Sequence, residues 1–199
     1  ILKTHDNLST READVKSIEM LRKLGIRDAE TRIRDYPHQF SGGMRQRVLI
    51  GMALLPDPKL LIADEPTTAL DVTVQKQIVS LLRENLDSKP ETGMILVTHN
   101  LSLVGALCKT TLVMYAGRML EYGQTADLLS EPLHPYTQGL KNAIPSASFK
   151  KKLYSIPGQI PSLLDLPAGC KFHPRCPRAM PQCRNEEPPL LKINTERKV

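Results

Sequence analysis

The chain has 199 residues, 41% of them hydrophobic and 24% charged, which suits one globular domain with an appendage. Aromatics make up only 4% and Trp is absent, so aliphatic side chains must fill the core. No apolar stretch approaches the roughly 20 residues that span a bilayer, and nothing resembles a secretory signal. The expectation is a soluble chain whose link to a membrane runs through a partner.

In chain order, Ser9-Thr10-Arg11-Glu12 fits a capping box. Val15, Ile18, Leu21 and Leu24 follow at helical spacing until Gly25 stops the helix. Tyr36-Pro37 breaks the chain ahead of Phe40-Ser41-Gly42-Gly43-Met44-Arg45-Gln46-Arg47. Met44 to Leu55 reads as a helix with Val48, Leu49, Met52 and Leu55 inward, ended by Pro56-Asp57-Pro58. Lys59 to Ala63 reads as a short buried parallel strand delivering Asp64-Glu65. Asp71 caps a helix carrying Val74, Ile78, Leu81 and Leu82. Met94 to Thr98 is a second buried strand that delivers His99, and Leu101 to Leu107 is a short helix. Thr111 to Tyr115 and Arg118 to Tyr122 flank Ala116-Gly117 as a hairpin, and Gln124 to Ser130 forms a helical turn or two. Alternating strands and helices predict an open α/β sheet with mostly parallel strands.

The formal charge of +6 lies entirely in the tail. Residues 1–144 hold 17 Lys/Arg against 17 Asp/Glu, whereas residues 145–199 hold 10 against 4. The tail also carries 9 of the 16 prolines and 3 of the 4 cysteines, which marks a boundary near Pro145. Lys150-Lys151-Lys152 is short and lacks interleaved aromatics, so it reads as a solvated linker rather than a nucleic-acid or lipid patch.

Three short motifs carry chemistry. Ser41-Gly42-Gly43 opens a helix, where free backbone N–H groups and the helix dipole favour an anion such as a terminal phosphate. Asp64 and Glu65 end an apolar strand, the edge at which open α/β sheets place ligands. Adjacent carboxylates there point to different sides, so one can hold a magnesium ion while the other addresses water. His99 ends the second strand. Each motif alone has an ordinary structural reading, as a helix cap, a surface carboxylate pair or a polar niche; their order and spacing together favour a shared site.

This ordered triplet resembles the ATP-binding cassette (ABC) ATPases, as signature motif, Walker B and switch histidine. The resemblance implies a P-loop NTPase-type α/β core using ATP and Mg2+. It implies Asp64 on magnesium, Glu65 as general base on the attacking water, and His99 on the terminal phosphate. It places Ser41, Gly42, Gly43 and Gln46 on the nucleotide of a paired subunit. Pro66-Thr67-Thr68-Ala69-Leu70-Asp71 resembles the D-loop, with Ala69, Leu70 and Asp71 at the subunit interface. No Gly-x-x-x-x-Gly-Lys-Ser/Thr phosphate loop occurs in the chain, and the first residue is Ile. The expectation is therefore an N-terminally shortened cassette, inactive alone, in which residues 1–58 form a helical signature subdomain and 59–132 the C-terminal part of the core.

Residues 133–199 sharpen the resemblance. Leu133-His134-Pro135-Tyr136-Thr137-Gln138-Gly139-Leu140 and Gly169-Cys170-Lys171-Phe172-His173-Pro174-Arg175-Cys176-Pro177 look like the C-terminal extension of the oligopeptide and dipeptide importers. That branch implies a second ATPase subunit, two membrane permease subunits and, indirectly, an extracytoplasmic peptide-binding protein, at the cytoplasmic face of a bacterial inner membrane. No nucleic acid is expected. Related branches carry nickel or other small solutes; nucleic-acid ABC ATPases are the other alternative, but their long coiled-coil insertions are absent here. The branch also implies a four-iron four-sulfur cluster on Cys170, Cys176 and Cys183. With only three tail thiols, zinc completed by His173 is the second choice, and idle cysteines the third.

Overall fold

Ser9 starts the first long helix with both halves of a capping box: its hydroxyl accepts the Glu12 N–H at 3.3 Å, and the Glu12 carboxylate accepts the Ser9 N–H at 2.9 Å. The computed structural model describes residues 1–68, 70–144 and 154–199. Ala69, the Lys150-Lys151-Lys152 run and the composition boundary near Pro145 lie outside the described residues. Two compact units divide the chain, Ile1–His99 and Asn100–Val199.

The first unit runs α1 (Leu2–His5), α2 (Thr10–Lys23), α3 (Ala29–Arg32), a 3-10 turn (Pro37–Gln39), α4 (Gly42–Leu54), β1 (Leu60–Asp64), α5 (Val72–Ser88) and β2 (Gly93–Val97). Gly25, at φ 68°, ends α2 with paired 6→1 and 5→2 bonds from Ile26 N–H to Leu21 O and from Gly25 N–H to Arg22 O. Leu21, Leu24, Ile26, Ala29 and Phe40 form a core, with Ile18, Met44 and Val48 packed on it. The helices approach closely because Gly51 has no side chain: a Cβ there would sit 2.5 Å from Leu24 Cδ1.

Three sequence expectations need correction here. Val15 is exposed, because it stands on the side of α2 opposite Met20 and Leu24, which meet Gly51 of α4. In α4 the buried residues are Ile50, Gly51 and Leu54, whereas Leu49 and Met52 are exposed. Both faces of that helix are apolar, so periodicity could not choose between them. The two strands are parallel, paired Leu60↔Gly93 through Asp64↔Val97, but each is covered on one face only. Leu60, Ile62, Ile95 and Val97 are exposed, and Ile62 keeps 65% of its surface.

The second unit runs α6 (Leu101–Leu107), β3 (Thr110–Tyr115), β4 (Arg118–Gln124), α7 (Thr125–Ser130) and α8 (Pro135–Ala143), then irregular chain with 3-10 turns at His173–Arg175 and Pro181–Arg184. Ala116 and Gly117, at φ 46° and 77°, form the hairpin turn that left-handed residues suit. The described residues thus hold one parallel pair and one antiparallel hairpin, as the sequence places them.

Two features tie the tail to this hairpin. Phe172, 1% exposed, packs edge-on against Tyr115 and Tyr136, with centroids 5.2 and 5.3 Å away. The His-Pro-Tyr-Thr segment and the cysteine segment therefore share one core. Glu121, 0% exposed, accepts the backbone N–H groups of Leu133 and His134, each at 3.0 Å, and Arg197 Nη2 at 2.9 Å. Burial pushes the Glu121 carboxyl up, but these donors pull it further down, leaving it below the usual carboxylate range.

Phe172→Ala should lower stability by about 3–5 kcal/mol, and Phe172→Leu by much less, in chemical denaturation of the chain. Because Glu121 is held ionised, its contribution is present above the ordinary carboxylate pKa and lost as pH falls through the lowered one. Glu121→Gln should cost about 3 kcal/mol at neutral pH. The difference from the native chain should shrink in acid, as urea midpoints measured across pH would show.

Candidate functional site

The parallel register of β1 and β2 brings two sequence-distant ends together. Glu65 follows β1 and donates its N–H to Val97 O at 2.9 Å, which sets it beside the end of β2. Its φ of 45° is left-handed, a conformation that costs a non-glycine residue and persists where neighbours enforce it. Glu65 Oε1 accepts the His99 N–H at 3.0 Å and faces His99 Nδ1 at 2.7 Å, while Oε2 accepts the Thr68 hydroxyl at 3.0 Å.

These contacts hold the Glu65 carboxyl in its ionised form. Partial burial pushes the Glu65 carboxyl up, but the His99 ring, the Thr68 hydroxyl and the His99 N–H outweigh it, so the group sits below the usual carboxylate range. A neutral His99 facing that carboxylate carries its proton on Nδ1 and leaves Nε2 to solvent, with 83% of the side chain exposed. A second proton would turn Nε2 into a donor for an anion. Asp64 stands exposed at the end of β1, on the same sheet face as Leu60 and Ile62. Thr68 was not singled out from the sequence; its place three residues after Glu65 in a turn was the available signal.

Ser41 caps α4, its hydroxyl accepting the Met44 N–H at 3.3 Å. A Cβ on Gly42 would meet nothing within 4 Å, so this turn is open to a ligand, and no acidic residue occupies it. A Cβ on Gly43 would lie 3.5 Å from Leu70. Gln46 Nε2 donates to Pro66 O at 2.9 Å, and Arg47 donates to Leu24 O and Gly25 O. Asp71 caps α5 through the Val74 N–H at 2.9 Å.

In the second unit, Cys170, Cys176 and Cys183 are free and half-buried. Gly169, at φ 59°, allows the close crossing that joins Cys170 N–H to Cys183 O at 2.9 Å; a Cβ there would sit 2.5 Å from that oxygen. Met180 N–H points at Cys183 Sγ at 3.5 Å. Burial pushes the Cys176 thiol up, and the neighbouring Cys170 and Cys183 thiols add to it, so the three share one neighbourhood. Among the described residues, however, no three His, Cys, Asp or Glu side chains are arranged to hold a metal ion. His173 Nδ1 lies 2.8 Å from Cys170 O. Cys108 ends α6, half-buried, its thiol likewise raised by burial.

Two family profiles match separate parts of the chain: the ABC transporter profile covers residues 2–68, and the oligopeptide/dipeptide transporter C-terminal region covers 120–183. The oligopeptide transport ATP-binding protein OppD of Salmonella typhimurium is 52% identical over 189 residues, 94% of this chain and 56% of that protein. The dipeptide transport ATP-binding protein DppD of Haemophilus influenzae is 48% identical over 197 residues, 98% of this chain and 59% of that protein. The chain thus spans less than two thirds of the length of these relatives. Among solved structures, a dimeric ATP-binding cassette in a post-hydrolysis state bound to ADP and Pi superimposes with a TM-score of 0.53 and 26% identity. That match covers 59% of this chain and 49% of the cassette. The chain belongs to the ATP-binding proteins of the ABC transporter family, in its oligopeptide/dipeptide branch.

Proposed function

We propose that this chain is part of an ATP-hydrolysing subunit that powers peptide import through a membrane permease. The observation that carries this reading is the Glu65–His99 contact of 2.7 Å at the ends of two parallel strands. A carboxylate held ionised takes a proton from water as general base, and an imidazole anchored at Nδ1 would, with a proton also on Nε2, donate to a phosphoryl oxygen. Asp64, exposed beside them, would carry the magnesium ion that neutralises phosphate charge. Ser41, Gly42 and Gly43 would act on a nucleotide held by a paired ATPase subunit, with Ala69, Leu70 and Asp71 along that interface. Residues 1–58 would then be the signature subdomain, 59–132 core, and 133–199 the extension. No helix among the described residues is long and apolar enough to cross a membrane; two permease subunits would hold the protein at the inner membrane's cytoplasmic face.

In the assembled transporter, Glu65→Gln should keep ATP binding and lower hydrolysis by at least about 100-fold, the scale of general-base catalysis, with peptide uptake falling in parallel. The 199 residues alone should show no hydrolysis above background. Robust Glu65-dependent turnover by the isolated chain would count against a shared site.

Cys170, Cys176 and Cys183 would supply three thiolates to an iron–sulfur cluster, a reading supported by the 2.9 Å backbone contact of Cys170 with Cys183 and the Met180 N–H aimed at Cys183 Sγ. Anaerobically purified protein should carry iron and acid-labile sulfide in near-equal amounts and lose both on Cys176→Ser. Zinc in their place would favour the His173-completed site, and neither metal would leave the cysteines structural.

A further inference from the structure

The amide of Gln46 faces the turn that follows β1. It donates to the carbonyl of Pro66, the residue directly after Glu65, at 2.9 Å. Gln46 lies three and four residues beyond Gly43 and Gly42, so it shares their face of α4. One helix face therefore carries both the open glycine turn and the contact to the catalytic turn.

The turn that follows Glu65 is held at several points. Glu65 is held by His99 and Thr68, Pro66 by Gln46, and Leu70 Cδ2 lies 3.5 Å from where a Gly43 Cβ would stand. At the other side of α4, Arg47 ties the helix to the C-terminal end of α2 through Leu24 O and Gly25 O. A helix fixed at both sides moves as a body, so a ligand that shifts its first turn also shifts Pro66. Glu65 is sensitive to such a shift because its left-handed φ is sustained by its surroundings.

We propose that Gln46 is a positioning residue that couples the two nucleotides of the paired ATPase: through Pro66, engagement of the Ser41-Gly42-Gly43 turn by the partner's nucleotide sets Glu65 for hydrolysis at this subunit's own. This rests on the ATPase reading above. Gln46 touches no substrate in this scheme; it acts through the Glu65 turn.

The test is steady-state hydrolysis by the assembled transporter as a function of ATP concentration, with nucleotide binding measured separately. Gln46→Ala and Gln46→Glu both remove the donor, and each should lower kcat about tenfold, the scale of one lost hydrogen bond. KM and nucleotide affinity should change less than about twofold, since uniform binding is untouched. Gln46→Lys, which keeps a donor of similar reach, should recover most of the rate. Unchanged kcat in Gln46→Ala would overturn the proposal. A raised KM with kcat retained would also overturn it, and would place Gln46 on the partner's nucleotide instead. A native assembly that hydrolyses no ATP would overturn the ATPase reading itself, which an active assembly indifferent to Gln46 would leave standing.

Discussion

The register of one parallel strand pair governs the chemistry available to this chain. Leu60↔Gly93 through Asp64↔Val97 makes both strands finish at the same edge, so residues 34 apart in sequence meet in a single clasp. A slip of β2 by one residue would turn its apolar alternation over and move His99 away from the Glu65 carboxylate. The Glu65 N–H bond to Val97 O locks that register just where the strand ends and the left-handed turn begins. Everything at the edge then follows: an ionised carboxylate, an imidazole with one nitrogen committed and the other open, and an exposed Asp64 beside them.

The second unit solves a different problem, the ordering of a proline-rich tail with little regular structure. Phe172 supplies the apolar anchor, surrounded by Tyr115 and Tyr136. Glu121 supplies the polar one, because a carboxylate with no solvent access must have its oxygens occupied. The backbone N–H groups of Leu133 and His134 and the Arg197 guanidinium do so. Residues 12, 13 and 76 positions away are thereby pinned to one strand, and Tyr122 and Lys198 exchange backbone hydrogen bonds beside it. The cysteine loop inherits its order from this frame, with Gly169 giving the room for Cys170 and Cys183 to cross.

Much of the local structure could be read directly from residues. The Ser9–Glu12 box, the Gly25 stop, the Asp71 cap and the Ala116-Gly117 turn depend on side chains and φ preferences within a few positions, and each forms where expected. The inward faces were less legible. Leu49 and Met52 are as apolar as Ile50 and Leu54, and only the packing of α4 on Leu24 separates the exposed pair from the buried one. The strands likewise read as wholly buried, although one face of each is open, because an apolar run records affinity for cover rather than the cover itself.

By itself, the sequence determined the chemistry on offer: a glycine turn at a helix start, two carboxylates after one apolar run, a histidine after another, and three tail cysteines. Those are matters of residue type and short spacing, where backbone and side-chain preferences act locally. Tertiary structure alone decided the pairings: Glu65 with His99, Gln46 with Pro66, Glu121 with Arg197, and Phe172 with the tyrosines. Each joins groups separated by 20 to 76 residues, or by comparable distances along the chain. Such pairs are fixed by the register and burial that folding creates, and no local preference encodes them.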